Sequence, residues 1–396
     1  MPGDARAAEF DHNLSLRTDA WSGSRQLDDD GAIARASVWG RARLDLGDAG
    51  KLVGDGWLAT QSRSKPGDAA RLRELLWQGS AGSIDWKLGR QIVAWGRADG
   101  LNPTDNLSPR DYTVLVPQDG EQRRGNDGVQ LGLDTPAGRL TALWFARAAS
   151  HTLPLEALPG VRYAVQRAPR RAQWALKWDI TGDGIDGSLS YFHGHDPTPD
   201  LVLAGADAAG VTVAVINQPL RVLGADISAT RGGIVWRAEG AWMQTDSRGA
   251  GDFSHKKPRL WLVAGAEWTL GQTTTLGLQA TLQQVRHFSS PDLLAQPVVR
   301  EIAQRQAALS NQTAARQAGI VWRLASRWLN DSLWAEINGV HLGQPSSTLW
   351  RTRLTYAIND SLQLQAGTDH FSGPQQSLWG QLRRNRLAFA QLRFSL

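Results

Sequence analysis

Apolar and polar residues alternate one by one along most of the chain. From Arg259 to Leu270, one set is Leu260, Leu262, Ala264, Ala266, Trp268 and Leu270. The other is Arg259, Trp261, Val263, Gly265, Glu267 and Thr269. Side chains alternate across a strand, so this segment reads as a strand with one apolar and one charged face. Trp174, Leu176, Trp178 and Ile180 repeat the pattern against Gln173, Ala175, Lys177 and Asp179. So do Ala34, Ala36, Val38, Gly40, Ala42 and Leu44 against Arg35, Ser37, Trp39, Arg41, Arg43 and Asp45. The stretches run about 9–13 residues. Soluble strands are typically ~5–6 residues, whereas a tilted strand crossing a bilayer needs ~9–11.

The breaks between stretches are of two kinds. Short ones rich in Gly, Asn and Asp lie at Gly47–Gly50, Gly79–Gly82, Thr135–Gly138, Thr181–Gly184, Arg231–Gly233, Gly271-Gln272, Asn330–Ser332 and Asn359–Ser361. Gly and Asn tolerate the positive φ angles of tight hairpins. Long polar ones lie at 97–125, 150–170, 195–217, 246–256, 288–312 and 372–384. Between the breaks the pattern predicts strands near 8–20, 32–46, 53–63, 70–78, 83–96, 126–134, 139–149, 172–181 and 184–194. It continues with 219–230, 233–245, 258–270, 273–287, 314–329, 332–342, 346–358, 361–370 and 385–396. The count is eighteen, with sixteen as the alternative. An even count puts both termini and every tight turn at one end. That is the asymmetry of bacterial outer-membrane barrels. The fold class predicted is therefore all-β: a single transmembrane antiparallel up-and-down barrel over 8–396, with a soluble two-sheet protein as the alternative.

Composition supports this reading. The 396 residues contain no Cys, which excludes disulfide scaffolds, thiolate metal sites and thiol nucleophiles. No apolar run reaches the ~18–20 residues of a membrane helix. The mean hydropathy of −0.35 fits strands that show lipid one face each. Outward aromatics near strand ends, Trp174, Trp178, Trp268, Trp328, Trp350 and Tyr356, suit membrane interfaces, and the 18 Trp are read as mostly interfacial. The last segment puts Ala388, Ala390, Leu392, Phe394 and Leu396 on one face. Barrels of this kind usually end in an aromatic residue, which here is displaced to Phe394. At the start, Met1–Phe10 lacks an apolar core, while Ala5-Arg6-Ala7 resembles the end of a signal peptide. Residues 1–7 are thus a tail or a signal-peptide remnant.

The net charge is +5, and of 43 basic residues only Lys51, Lys65, Lys87, Lys177, Lys256 and Lys257 are not Arg. They tend to sit singly along alternating segments, with Arg170-Arg171 and Arg383-Arg384 as short exceptions, and no nucleic-acid-binding motif is present, so nucleic acid is not expected as a partner. Charges facing lipid cost about 2–4 kcal/mol for Arg or Lys, so they belong inside. The candidate lumen and pathway residues are Arg35, Arg41, Arg43, Lys87, Arg147, Lys177, Arg237, Glu239, Arg259, Glu267, Arg323, Arg327, Arg351, Arg353 and Asp369. Arg17 and Arg393, with Asp11, Asp19, Asp45, Asp85, Asp179, Asp226 and Glu336, share those faces. Two readings compete. One is lateral pairing that stiffens the wall. The other is a path whose guanidinium groups meet an anionic solute, with Arg41/Arg43 and Arg351/Arg353 as candidate pairs.

The segment 97–125 is long for a connection without secondary structure, which usually marks function or disorder. Its apolar Val114–Val116 suggests an ordered loop, folded into the lumen as a constriction or packed over the rim. Asn102, Asp105, Arg110, Asp111, Tyr112, Asp119, Arg123 and Arg124 are the constriction candidates. The run Gly89-Arg90-Gln91 with Trp95-Gly96, followed by Asn102-Pro103-Thr104-Asp105, resembles a group of Gram-negative outer-membrane β-barrel channel proteins. The architecture is also similar to alginate-export type porins. The resemblance implies an outer-membrane channel in an export or uptake system. Its partners would be lipid, lipopolysaccharide and periplasmic or inner-membrane components.

Other chemistry is weaker. His193 and His195 share a strand face but lack a third metal ligand, so no metal or cofactor is expected. Ser190 and His193 fall on opposite faces, and no hydrolase or nucleotide motif stands in a fitting context, so no enzyme activity is expected. The competing functions are a structural barrel that docks envelope partners and a barrel enzyme acting on lipid or polysaccharide.

Overall fold

The computed structural model describes residues 9–23, 30–63, 69–156 and 158–396. The expected tail at 1–7 lies outside these. In chain order the strands begin with β1 (Glu9–Gly23), β2 (Ala32–Asp45), β3 (Lys51–Gln61), β4 (Ala70–Ala81), β5 (Ile84–Gln91), β6 (Asn126–Thr135) and β7 (Gly138–Phe145). Next come β8 (Val161–Val165), β9 (Gln173–Thr181), β10 (Ile185–His195), β11 (Asp200–Asp207), β12 (Gly210–Ile216), β13 (Pro219–Arg231) and β14 (Ile234–Thr245). The series ends with β15 (Arg259–Leu270), β16 (Thr274–Val285), β17 (Arg316–Trp328), β18 (Leu333–Gly343), β19 (Ser346–Ala357), β20 (Leu362–Ser372) and β21 (Leu387–Ser395). All but β8, β11 and β12 form one 18-stranded antiparallel sheet. It closes where β1 pairs with β21, Ser15 opposite Ser395 and Gly23 opposite Leu387. Closure gives each of the eighteen strands a partner on both sides, the condition for strands to span a bilayer.

Glu9 lies opposite Asp45, so the termini share an end with the β2–β3 turn. The other tight turns fall at that end too. Leu329, Asn330 and Asp331 take φ of 55°, 54° and 65° in one of them, conformations that Asn and Asp tolerate. The far end carries the long loops and one short connection, at Gln344-Pro345 between β18 and β19.

Alternation sorts the faces as the sequence predicts. On β2, Ile33, Arg35, Ser37 and Trp39 are buried, while Ala34, Ala36 and Val38 are exposed. Outward Leu176, Leu189, Leu223, Leu262, Leu278, Ile320 and Leu354 belong to a belt of exposed apolar side chains. Aromatic rings flank it. Near the terminal end, Trp77 and Trp178 donate their indole N–H to the turn carbonyls of Ala49 (2.7 Å) and Ala137 (3.1 Å). Near the loop end, Trp144 and Trp174 face outward and are exposed. Amphipathic rings favour such depths because one side is apolar and the other wet. The Trp are more mixed than expected, however: Trp21, Trp39, Trp57 and Trp95 are buried in the interior.

Most strand ends fall within about three residues of the sequence reading, and two differ by more. The strand expected over 83–96 stops at Gln91, because the chain turns inward there: Ile92 N–H donates to Glu74 (2.9 Å) and Val93 N–H to Ser108 Oγ (2.7 Å). The strand expected over 139–149 ends at Phe145. The loops are also more ordered than a polar composition suggests. β8, β11 and β12 form a separate sheet, in which β8 pairs parallel with β12. A helix, α1 (Pro297–Leu309), covers it through Ile302 and Leu309, which pack with Leu201, Val213 and Val215. Buried Lys256 ties this layer to the barrel by ion pairs to Asp200 (2.6 Å) and Asp196 (3.2 Å).

Candidate functional site in the barrel interior

The inner wall holds an acidic socket. Asp226 on β13 and Glu239 on β14 are register partners, and both are buried. Two carboxylates directly opposite each other repel unless something neutralises them. The segment 92–125 supplies it. Glu239 accepts from the backbone N–H of Arg97 (2.9 Å), Ala98 (3.0 Å) and Thr104 (2.8 Å), and from Thr104 Oγ1 (2.8 Å). Asp226 pairs with the Arg97 guanidinium and accepts from Ser188. A side chain at Gly96 would not fit: its Cβ would stand 2.6 Å from the Glu239 carboxylate, at φ +97°. Gly224 likewise makes room, since a Cβ there would stand 2.6 Å from Thr104 Cγ2. The Trp-Gly and Asn-Pro-Thr-Asp runs thus dock on one patch of wall.

The segment is held around the barrel's circumference. Val93, Trp95 and Leu107 pack with Leu143, Phe145, Phe192, Val222 and Met243. Asp99 pairs with Arg237 (3.2 Å), and its N–H donates to Gln279 (3.1 Å). Leu101 sits with Val321, Val340 and Leu342. Leu115 packs with Trp21, Ile33 and Phe389, and Val116 with Trp39 and Trp57. The Leu115 carbonyl accepts from Arg35 (2.6 Å) and that of Pro117 from Arg353 (2.9 Å). Asp119 pairs with Arg351, and Glu121 with Arg17 (2.7 Å). Arg17 also lies over Trp39, 4.3 Å from the ring centroid, a favourable cation–π placement.

Of the constriction candidates, Asp105 joins Arg110 (3.3 Å) and Arg123 in one ion-pair cluster. Asp111 pairs with Arg71 (2.9 Å) and accepts from Thr113. Asn102 lies beside Gly96. Tyr112 meets the His151 ring edge-on at 5.4 Å. Arg124 donates to the Ser150 carbonyl.

The wall candidates divide. Arg353 pairs with Asp369 (2.6 Å), and Arg351 lies 3.5 Å from it. Arg323 bridges Glu336 (2.9 Å) and Glu267 (3.7 Å); Arg237 also reaches Glu267 (3.7 Å). Lys177 pairs with Asp179 (2.6 Å), and Arg259 donates to Gln283 and the Ser310 carbonyl. By contrast, the side chains of Arg43, Lys87, Arg147 and Arg327 make no hydrogen bond or ion pair among the described residues. Arg41 is 62% exposed and reaches Glu74 only at 4.0 Å. Arg41, Arg43, Lys87 and Arg327 stand in the half of the barrel nearer the tight turns.

Sequence reasoning passed over Arg73 and Glu74. A bulge between Asp55 and Gly56 of β3 gives β4 an extra residue, so both turn inward. Arg73 pairs with Asp55 (2.9 Å) and donates to the carbonyls of Arg123 and Gly120. No alternation rule announces this, although Arg-Glu within an apolar strand is a cue. Among the described residues, no three His, Asp or Glu side chains gather as a metal site. His193 stacks on Trp174 instead, and His195 is buried.

No protein-family model matches the sequence, and no curated protein does. Solved structures match over nearly the whole chain. Acinetobacter baumannii OccAB1 aligns with a TM-score of 0.60 at 9% identity, covering 100% of this chain and 98% of that one. Pseudomonas aeruginosa OccK3 (OpdO) gives 0.58 at 11%, covering 98% and 96%. P. aeruginosa OccK5 (OpdH) gives 0.57 at 10%, covering 98% of each chain. These are outer-membrane channel barrels of Gram-negative bacteria. At such identities the likeness is one of fold. Shared fold, closed sheet and lipid-facing belt together describe an 18-stranded outer-membrane β-barrel.

Proposed function

We propose that the chain is a solute channel, with segment 92–125 as its constriction and the uncommitted basic side chains as its anion-attracting path. The observation that carries this is the division within the inner wall. Arg35, Arg237, Arg323, Arg351 and Arg353 hold the segment or neighbouring strands, whereas Arg41, Arg43, Lys87 and Arg327 remain without close partners among the described residues. Fixed cations in a narrow, low-dielectric path raise the local concentration of anions. The favoured solute is therefore anionic. In an export or uptake system the barrel would supply the outer-membrane step; the Gly89–Gly96 and Asn102–Asp105 runs, through their resemblance, support that part of the reading.

Reversal potentials in planar bilayers test it. Under a salt gradient the channel should prefer anions, and replacing Arg41 and Arg43 by Ser should cut that preference by roughly half, consistent with the loss of two of several fixed charges. Unchanged selectivity, or a preference for cations in the parent protein, would refute the anionic path.

A further inference from the structure

The barrel wall has a notch. β4 and β5 pair from Ala81–Ile84 to Leu75–Arg90, and β5 ends one residue later at Gln91. β4 continues to Ala70, paired with β3 on one side only. Over residues 70–73 no described strand occupies the other side, a rise of about 14 Å at ~3.4 Å per residue. Beyond the notch, β6 begins at Asn126 and β7 ends at Phe145, so the wall stays low there.

Two chain segments stand behind the notch. Gly125 N–H donates to the Arg73 carbonyl (3.1 Å), and Asp111 bridges to Thr152. Between them and β4 lies a cavity of about 670 Å³. Its mouth includes Leu72, which faces outward beside the exposed Leu75 of the lipid-facing belt. Leu153, Leu155, Val165 and Val215 give it an apolar lining. Its charged lining is basic, from Arg71, Arg90 and Arg124, with His151, Ser150, Thr152 and Gln166 beside them. Asp111 and Asp127 answer two of these, Arg71 and Arg90. Arg124 gives one terminal nitrogen to the Ser150 carbonyl, while its buried Nε has no acceptor.

We propose that this notch is a lateral binding site for an anionic acyl amphiphile of the outer leaflet. The head group sits against Arg124, and the chain runs out over Leu72 and Leu75 onto the lipid face. An open strand edge is not tolerated in the hydrocarbon core, where nothing hydrates its backbone. The notch lies at the loop end, where head groups and water satisfy it. The cavity is continuous with the surface that meets lipid, its lining is apolar, and its charge is positive. That combination selects an acyl chain with a carboxylate or phosphate head over a neutral lipid or a small anion. The proposal rests on the outer-membrane barrel reading but not on conduction.

The chain has no Cys, so a single probe can be placed cleanly. Val165, exposed at 73%, takes a bimane label as Val165→Cys in zwitterionic nanodiscs, and lipid-facing Leu189→Cys serves as control. The quenchers are 5-doxyl-stearate and its methyl ester. The acid should quench the Val165→Cys label roughly tenfold more effectively than the ester, the worth of a charge-assisted hydrogen bond. At Leu189→Cys the two should act alike. Arg124→Gln should bring the acid down to the ester's level, and Arg124→Lys should restore part of the difference. Equal quenching at Val165→Cys, indifference to Arg124→Gln, or displacement by acetate or inorganic phosphate as readily as by stearate would overturn the proposal. Acid-selective quenching by a barrel that passes no current would sink the channel reading and leave this one standing.

Discussion

A single carboxylate shows how the interior is built. Glu239 accepts four hydrogen bonds in a buried position, and each is a donor that water would otherwise satisfy. His151 shows the same logic with a neutral ring. Its Nδ1 accepts from Arg110 N–H (2.8 Å), a bond that needs the unprotonated ring. Burial above all, with the charges of Arg110 and Arg124 against those of Asp196 and Asp105, pushes its pKa down to about 4. The unfolded chain takes up this proton near pH 6.5. The stability contributed by the neutral ring is therefore complete above that pH and is lost as pH falls from 6.5 towards 4. An NMR titration, assigned by comparison with His151→Gln, should give a midpoint near 4 for this ring. A midpoint near the ordinary histidine value would show that the loop packing around it is not tight.

At the level of elements, the segment 92–125 is the part whose loss changes most. Replacing Glu239 by Ala removes its acceptor from Arg97, Ala98 and Thr104 together. Each stranded donor costs about 1–3 kcal/mol, so the segment should detach locally while the sheet stays intact. Single-channel recordings of Glu239→Ala should show larger and noisier conductance steps than the parent; identical steps would mean that the socket does not hold the constriction. The sequence made the strands legible, because a period of two runs through most of the barrel strands and because the Gly and Asn turns punctuate it. It made the docking legible only in part. Gly96, Asn102 and Thr104 stand out as a motif, yet their receiver, the Asp226–Glu239 pair, is separated from them by more than a hundred residues and shares no local signal with them. The bulge that turns Arg73 inward is equally silent. The outer sheet and its helix were missed, because 150–170, 195–217 and 288–312 read as polar connections, although local signals were present. Asp200–Asp207 and Gly210–Ile216 are β-prone runs joined by two residues, and Pro297 opens an α-helix at its first turn.

At the scale of the molecule, one closed sheet separates two environments. Outside, exposed Leu, Ile and Trp meet lipid. Inside, charges are balanced against a traversing segment. The division explains why arginines recur singly along the alternating strands, on the faces turned away from lipid. Arg suits such a wall because its planar fork can hold a backbone carbonyl and a carboxylate together, as Arg353 does with Pro117 and Asp369. In the proposed channel the segment, and not the wall, limits passage. Excising residues 97–124 and recording from planar bilayers tests it most directly. The shortened protein should still migrate as a heat-modifiable barrel and open to a steady, larger current than the parent. A folded barrel that stays closed after the excision would contradict it.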